Sequence, residues 1–414
     1  MRIAFVADAR SPITRSWIKY FIERDHEVHV ITTYRCEAWP NAAFYEAPIG
    51  PGPMAVSATA QLAGQTETRK KGQALPAART SLFSSAAFAT YKWVLPLDLG
   101  RSVRAIRNLI FRIQPSLVHA LRIPFEGIVA AKAVPDNVPL MISTWGNDLT
   151  LWASSNPLIA RQTRFALKRA DALLSDCTRD LRLAVDSFGF DETKPRAMYP
   201  GAGGVQPNIF CSGSVSPDAL QGLEVPDRAE VILNPRGMRA YVANENFFQA
   251  IRTVLRTHPR VVVLCPGMAG NALAERWVNR LSLEANVRLL PSVSAERMAE
   301  LFRAAAVTVS PSLHDGTPNS LLEAMACGSF PVVGDLESIR EWIVDRENGL
   351  LCDPSSPSSI ADRIVRALED GALRDNACTR NRSIINERAE YRKVMPEAER
   401  FYHRVLTEAS ATGI

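Results

Sequence analysis

The chain has no cysteines spaced to work together. Its seven (Cys36, Cys177, Cys211, Cys265, Cys327, Cys352 and Cys378) are odd in number and scattered, without a C-x-x-C pair. That speaks against both a disulfide framework and a zinc site, and it fits a reducing compartment. No run approaches the roughly 18 apolar residues that a bilayer-spanning helix needs. The first residues, MRIAFVADAR, enter a strand-like run without the apolar stretch of a signal peptide. The expectation is a cytoplasmic protein, at most peripheral at the inner face of a membrane. Lys and Arg are dispersed rather than interleaved with aromatics, so nucleic acid is not an expected partner. The glycine-rich PGAGGVQ (200–206) lacks the last glycine of G-x-G-x-x-G and ends a strand with no convincing helix after it, which sets aside a dinucleotide oxidoreductase.

What is present is an ordinary globular composition, 47% hydrophobic and 22% charged. At 414 residues the chain exceeds the size at which one core keeps growing, so two domains are expected. Charge is divided unevenly. Residues 1–190 hold 23 Lys and Arg against 15 Asp and Glu, and the remainder 25 against 28. A basic first half suits an anionic lipid surface or an anionic acceptor, and equally a solvated face with a mild excess.

Short β-branched runs alternate with helix-length segments, the pattern of parallel α/β sheets. In the first half the strands read as residues 3–8, 28–33, 116–121, 140–144, 172–176 and 196–200. Helices are expected at 15–24, 101–113, 125–134 and 157–169. A Pro-, Gly- and Ser-rich stretch reads as a linker, 207–228. The pattern resumes with strands at 231–235, 261–267, 287–291, 307–311 and 330–334. The expected organisation is a first domain over 1–206, the linker, a second domain over 229–390, and a final helix over 391–414 packing back on the first. Two wound sheets in tandem would place a ligand cleft between their carboxyl ends. Residues 64–100 combine a polar, basic stretch with the apolar, aromatic LFSSAAFATYKWVLPL (82–97), readable as a core helix or as a membrane-docking surface.

The richest stretch is SPSLHDGTPNSLLEAMACGSFPVV (310–333). A strand runs into a short loop and then a helix, with Thr317 expected as N-cap, Pro318 as the first helical residue and Gly328 as the stop. Such a turn aims backbone N–H groups and the helix dipole at one place, which suits a diphosphate. Asp315 and Glu323, eight residues apart, would flank the same ligand. HDGTPNSLLEAMACG is similar to the E-x7-E segment of the family 4 glycosyltransferases, a GT-B group that retains anomeric configuration. The resemblance implies that Glu323 binds the nucleotide ribose and that Asp315, shorter by one methylene than the usual Glu, faces the donor sugar. It also implies that Gly316, Thr317, Pro318, Asn319 and Ser320 line the sugar and phosphates. NPRGMRAYVANENFF (234–248) resembles the turn that sets basic residues on the donor phosphates, giving that role to Arg236, with Arg239 standing in for an unmatched Lys. Pro291 and Ser292 fall where the family contacts the base. IREWIVDRENGLLCDP (339–354) resembles the end of the donor domain.

In the first half, ARSPITRSWIKYFIERDHEVHVITT (9–33) resembles the family's first βαβ unit, with Ser11–Thr14 replacing a Gly-Gly pair. LVHALRIPFEGIVA (117–130) resembles the H-x-H segment with Leu121 at the second position, making His119 a candidate for the chemistry; a satisfied histidine at a strand end is the other reading. STWGNDLTLW (143–152) makes Asp148 the reserve candidate for handling the acceptor hydroxyl. No D-x-D triplet occurs, so no metal and no cofactor are expected, and Arg236 with the helix N-terminus would neutralise the leaving diphosphate. The resemblance thus implies a GT-B fold of two Rossmann-like parallel-sheet domains facing a central cleft. It further implies transfer from a nucleotide-sugar to a glycan or lipid-linked acceptor in bacterial surface polysaccharide synthesis. A nucleotide-sugar epimerase or hydrolase of the same fold, and an inactive nucleotide-sugar-binding protein, are the competing readings.

Overall fold

The computed structural model describes residues 1–49, 99–216 and 218–411. They form two compact units, one of residues 1–49, 99–203 and 393–411 and one of the described residues between 204 and 392. The core-or-membrane expectation for residues 64–100 falls, apart from Leu99 and Gly100, outside the described residues.

The first unit is a parallel sheet of β1 (Arg2–Ala7), β2 (Glu27–Thr32), β3 (Ala43–Glu46), β4 (Leu117–Leu121), β5 (Leu140–Thr144), β6 (Ala172–Ser175) and β7 (Arg196–Met198). Their order is β3-β2-β1-β4-β5-β6-β7. Every residue of β4 and β5 is buried, because helices cover both faces of the sheet, and such strands read as unbroken apolar runs. The edge strand β3 is short and half-exposed, carries no such run, and is absent from the sequence reading. Right-handed crossovers put helix Pro12–Glu23 on one face and helices Gly100–Ile113, Ile128–Ala133 and Pro157–Arg169 on the other. On that second face Ile106, Ile110, Val129 and Leu167 close over Val118 and Ile142.

On the opposite face the last helix, Tyr391–Ala411, lies along Pro12–Glu23. Trp17 Nε1 donates to Tyr402 Oη at 2.9 Å, Tyr20 Oη donates to Glu399 at 2.8 Å, and the Phe21 and Tyr402 rings are 4.6 Å apart. The first unit is therefore made from two stretches far apart in sequence.

The second unit is a parallel sheet of β8 (Val231–Leu233), β9 (Val262–Pro266), β10 (Val287–Leu290), β11 (Val307–Ser310), β12 (Phe330–Gly334) and β13 (Leu350–Cys352), in the order β10-β9-β8-β11-β12-β13. Phe247, Phe248 and Ile251 fill one face. Phe302, Leu321, Met325 and Trp342 fill the other. The stretch expected as a linker packs on this unit in its described residues: the Phe210 ring is 6.3 Å from Phe302, and Arg288 donates to the carbonyls of Leu223 and Glu224 at 3.2 and 3.0 Å. The chain passes between units at residues 203–204 and 392–393. Beside those crossings the Val205 N–H donates to the Ala389 carbonyl at 2.7 Å and the Tyr391 N–H to the Val205 carbonyl at 2.9 Å. Gly204, at φ +92°, has no room for a side chain, since a Cβ would lie 2.3 Å from the Ala389 oxygen.

Candidate functional site

The strand order of the second unit reverses between β8 and β11, the switch point outside whose strand ends sheets of this kind bind ligands. Farther out, backbone bonds tie the loops together: Leu313 N–H to the Tyr241 carbonyl at 2.8 Å and Ala243 N–H to the Pro311 carbonyl at 3.0 Å. Asn234, at the end of β8, accepts from the Arg236 N–H at 3.2 Å, and Asn244 donates to the Gly237 carbonyl at 3.2 Å. Gly237 turns the chain at φ +62°.

Held this way, the buried Arg236 guanidinium spans the switch point. Nη2 donates to Asp315 Oδ2 at 2.6 Å and Nη1 to Ser320 Oγ at 3.2 Å, while Nε is buried without a partner. Burial works against the Arg236 charge, but Asp315 foremost, then Tyr241 and Glu323, outweigh it and raise the pKa. Asp315 also accepts from Ser312 Oγ at 3.0 Å, and its carbonyl accepts from Ser338 Oγ at 2.7 Å. Ser312 and Ser338 had no signal in the sequence, since each acts through a contact that only the fold creates.

The helix after Asp315 runs Asn319–Cys327, with Pro318 as its N-cap and Gly328 closing it at φ +91°. The expected Thr317 cap is corrected: the helix starts one residue later, and Thr317 Oγ1 accepts instead from Trp342 Nε1 at 2.9 Å. A rigid indole donor from 25 residues away has displaced the local cap. Gly316, Thr317 and Pro318 are buried, and Asn319 and Ser320 are half-buried. Glu323 lies in the helix's second turn, half-buried, with no hydrogen bond or ion pair among the described residues. Burial pushes its carboxyl up to about 7, against the pull of Arg236.

Arg239 is half-buried and donates to Tyr241 Oη at 3.0 Å. Pro291 and Ser292 are exposed at the end of β10, where the Gly267 N–H donates to the Pro291 carbonyl at 3.2 Å. The fold thus gathers Arg236, Asp315 and Ser320 into direct contact, brings Glu323 within their field, and sets Pro291 and Ser292 at the far end of the row of strand ends. A fixed cation and a carboxylate without donors, at the ends of one sheet, can hold an anionic group and a diol of the same ligand.

The first unit's candidates lie deeper. His119 has no exposed surface. Its Nδ1 meets Tyr402 Oη and its Nε2 meets Ser143 Oγ at 2.7 Å. Burial lowers its pKa to about 3, so the ring is neutral. Asp148 is also fully buried, and accepts from Arg122 at 2.8 and 3.2 Å and from the Trp145 N–H at 3.0 Å. Arg122 sits at φ +100°, a conformation that favours glycine and costs about 1–3 kcal/mol, at the first unit's own switch point. Beside it Glu126, overlooked in the sequence, accepts from Thr33 Oγ1 at 2.8 Å, and burial raises its carboxyl to about 7. Asp176, Cys177 and Asp180 are the one group among the described residues spaced to hold a metal ion. The Arg179 guanidinium, 2.7 Å from Asp180, already supplies a cation there.

With this geometry in place the class can be stated. Residues 217–383 match the family model described as Glycosyl transferases group 1, and the two units together have the GT-B fold. The likeness to that family is confined to the second half of the chain, and the whole chain shares the fold.

Among curated proteins, it is 28% identical over 212 residues to the D-inositol 3-phosphate glycosyltransferase of Acidothermus cellulolyticus, a match covering 49% of this chain and 46% of that protein. The enzyme of the same name from Kineococcus radiotolerans is 30% identical over 226 residues, covering 50% and 51%. The match therefore spans about half the length of these relatives. Among solved structures, sucrose-phosphate synthase from Thermosynechococcus elongatus superposes with a TM-score of 0.74 at 14% identity, over 99% of this chain and 100% of that one. HepE of Anabaena, in complex with UDP and glucose, gives 0.71 at 15%, over 97% and 99%.

Proposed function

We propose that this protein transfers a sugar from a nucleotide-diphosphate donor to a glycan or lipid-linked acceptor, with retention of configuration and without a bound metal, in the synthesis of a bacterial surface polysaccharide. The observation that carries the reading is the unequal treatment of two carboxylates eight residues apart. Asp315 is locked on Arg236 at 2.6 Å, whereas the half-buried Glu323 has no hydrogen-bond donor among the described residues. A carboxylate in that state is suited to accept from a pair of vicinal hydroxyls, and a ribose presents them. Arg236 and the start of helix Asn319–Cys327 would take the diphosphate, Arg239 would add charge, and Pro291 and Ser292 would border the base.

As the glycosidic bond breaks, negative charge gathers on the leaving phosphate, and a preformed guanidinium stabilises it most in that state. The acceptor oxygen attacks the same face of an oxocarbenium-like sugar, and the departing phosphate takes the acceptor's proton. No enzymic nucleophile is required. His119 and Asp148, both enclosed, act in this reading by holding the strand ends that face the acceptor. The similarity to D-inositol 3-phosphate glycosyltransferases adds small phosphorylated polyols to the acceptors worth assaying.

The test is a panel of UDP-, GDP-, ADP- and dTDP-sugars scored by thermal shift. One donor should raise Tm by several degrees, and Glu323→Ala should remove that rise while the unliganded Tm does not fall. A rise that survives in the variant sinks the ribose assignment. Turnover undiminished by EDTA, and a product anomer matching the donor by NMR, would support the metal-free, retaining steps.

A further inference from the structure

Three neighbouring helices on one face of the first sheet, Gly100–Ile113, Ile128–Ala133 and Pro157–Arg169, carry nine Lys and Arg and no Asp or Glu. Side chains join them into one surface. Arg107 donates to the carbonyls of Lys132 and Ala133 at 2.6 and 3.4 Å, and Lys132 Nζ to Gln162 at 3.0 Å. Their apolar stripes are used up in the core, leaving the cations outward. Arg101, Arg104, Arg107, Arg112, Arg161 and Arg164 are exposed and make no ion pair among the described residues, whereas Arg169 pairs with Asp136 and Asp171.

Two large aromatics stand among these arginines: Phe111 is 79% exposed and Phe165 48%. Each follows an arginine by one helical turn (Arg107 and Phe111, Arg161 and Phe165) and adjoins another (Arg112, Arg164). A merely solvated face would carry acids to pair with its bases at i,i+4; these helices carry none, and the two exposed rings lie beside the unpaired arginines.

We propose that this face docks on an anionic lipid surface, the guanidinium groups meeting headgroup phosphates and the two phenylalanines entering the acyl boundary. A nucleic acid would use the cations but leave both rings in water, so lipid satisfies more of what is displayed. The inference rests on the charge pattern and stands apart from the transfer reading.

The experiment is sedimentation of the full chain with phosphatidylcholine vesicles, and with vesicles containing phosphatidylglycerol, at low and high salt. Binding should require phosphatidylglycerol and fall with salt. Each cation near the surface contributes about fivefold in partition, so Arg104→Glu with Arg161→Glu should lower it at least tenfold, Arg104→Lys with Arg161→Lys should retain it, and Phe111→Ala should weaken it several-fold. Unchanged Tm and unchanged donor thermal shift in these variants would separate this result from the fate of the transfer reading. The proposal is overturned by equal binding to both vesicle types, by undiminished binding of the Glu variant, or by duplex DNA outcompeting the vesicles at equal phosphate.

Discussion

At the scale of single residues, the protein spends stability on ionisable groups kept out of water. Glu323 and Glu126 rise to about 7 and Asp180 to about 6, each chiefly through burial. A raised carboxyl means the folded state holds a proton that the unfolded state has lost, so these groups reduce stability as pH climbs through about 4.5 to 7. His119, lowered to about 3, has the opposite sign and loses stability as pH falls below about 6.5. Glu323→Gln should therefore stabilise the protein at pH 8 by about 1–2 kcal/mol, seen as a higher Tm, with little change at pH 4.5. If the ionised Glu323 receives the ribose, donor affinity should be constant above pH 7 and fall about tenfold per unit well below it. A titration of Kd against pH in wild type and Glu323→Gln checks both limbs, since the variant should bind weakly and without the slope.

At the scale of elements, the site depends on how closely strand ends approach. Gly334 ends β12 beside the loop that positions Asp315, and a Cβ there would lie 2.4 Å from the Ser312 carbonyl oxygen. Gly334→Ala should push Ser312 off Asp315, lowering stability by about 1–3 kcal/mol and weakening donor binding. Thermal denaturation and the donor thermal shift would report the two losses separately. The wound α/β class was legible because LVHAL, LMIST and FPVVG are buried on both faces and so are apolar without interruption. AFYE and LLC escaped notice because edge strands of three or four residues show no such run. Of the candidate site, the Asp315–Glu323 segment could be read locally, since its turn, helix and glycine stop are contiguous. The partners that set its geometry could not. Thr317 meets Trp342, Asp315 meets Arg236 from 79 residues away, and His119 meets Tyr402 from 283 residues away.

At the scale of the whole molecule, the first unit is closed by residues 393–411. Met395, Ala398, Phe401, Tyr402 and Val405 of that segment are buried, and each large apolar side chain contributes about 1.5–3 kcal/mol. Ending the chain at residue 392 should remove more than a typical net stability of about 5–15 kcal/mol can absorb, once the orphaned Trp17 and His119 partners are counted. The truncated protein should lose protection of residues 1–49 and 99–203 in limited proteolysis while the described residues of 204–392 stay protected, and equal protection of both would refute this. The same arrangement sets a timetable in the cell. The second unit can finish folding as it leaves the ribosome, but the first, though made earlier, waits for roughly 190 further residues before its last helix arrives. At about 5–20 residues per second that is roughly 10–40 s during which the apolar side of helix Pro12–Glu23 is uncovered. Chaperone demand should thus fall on the half of the protein synthesised first.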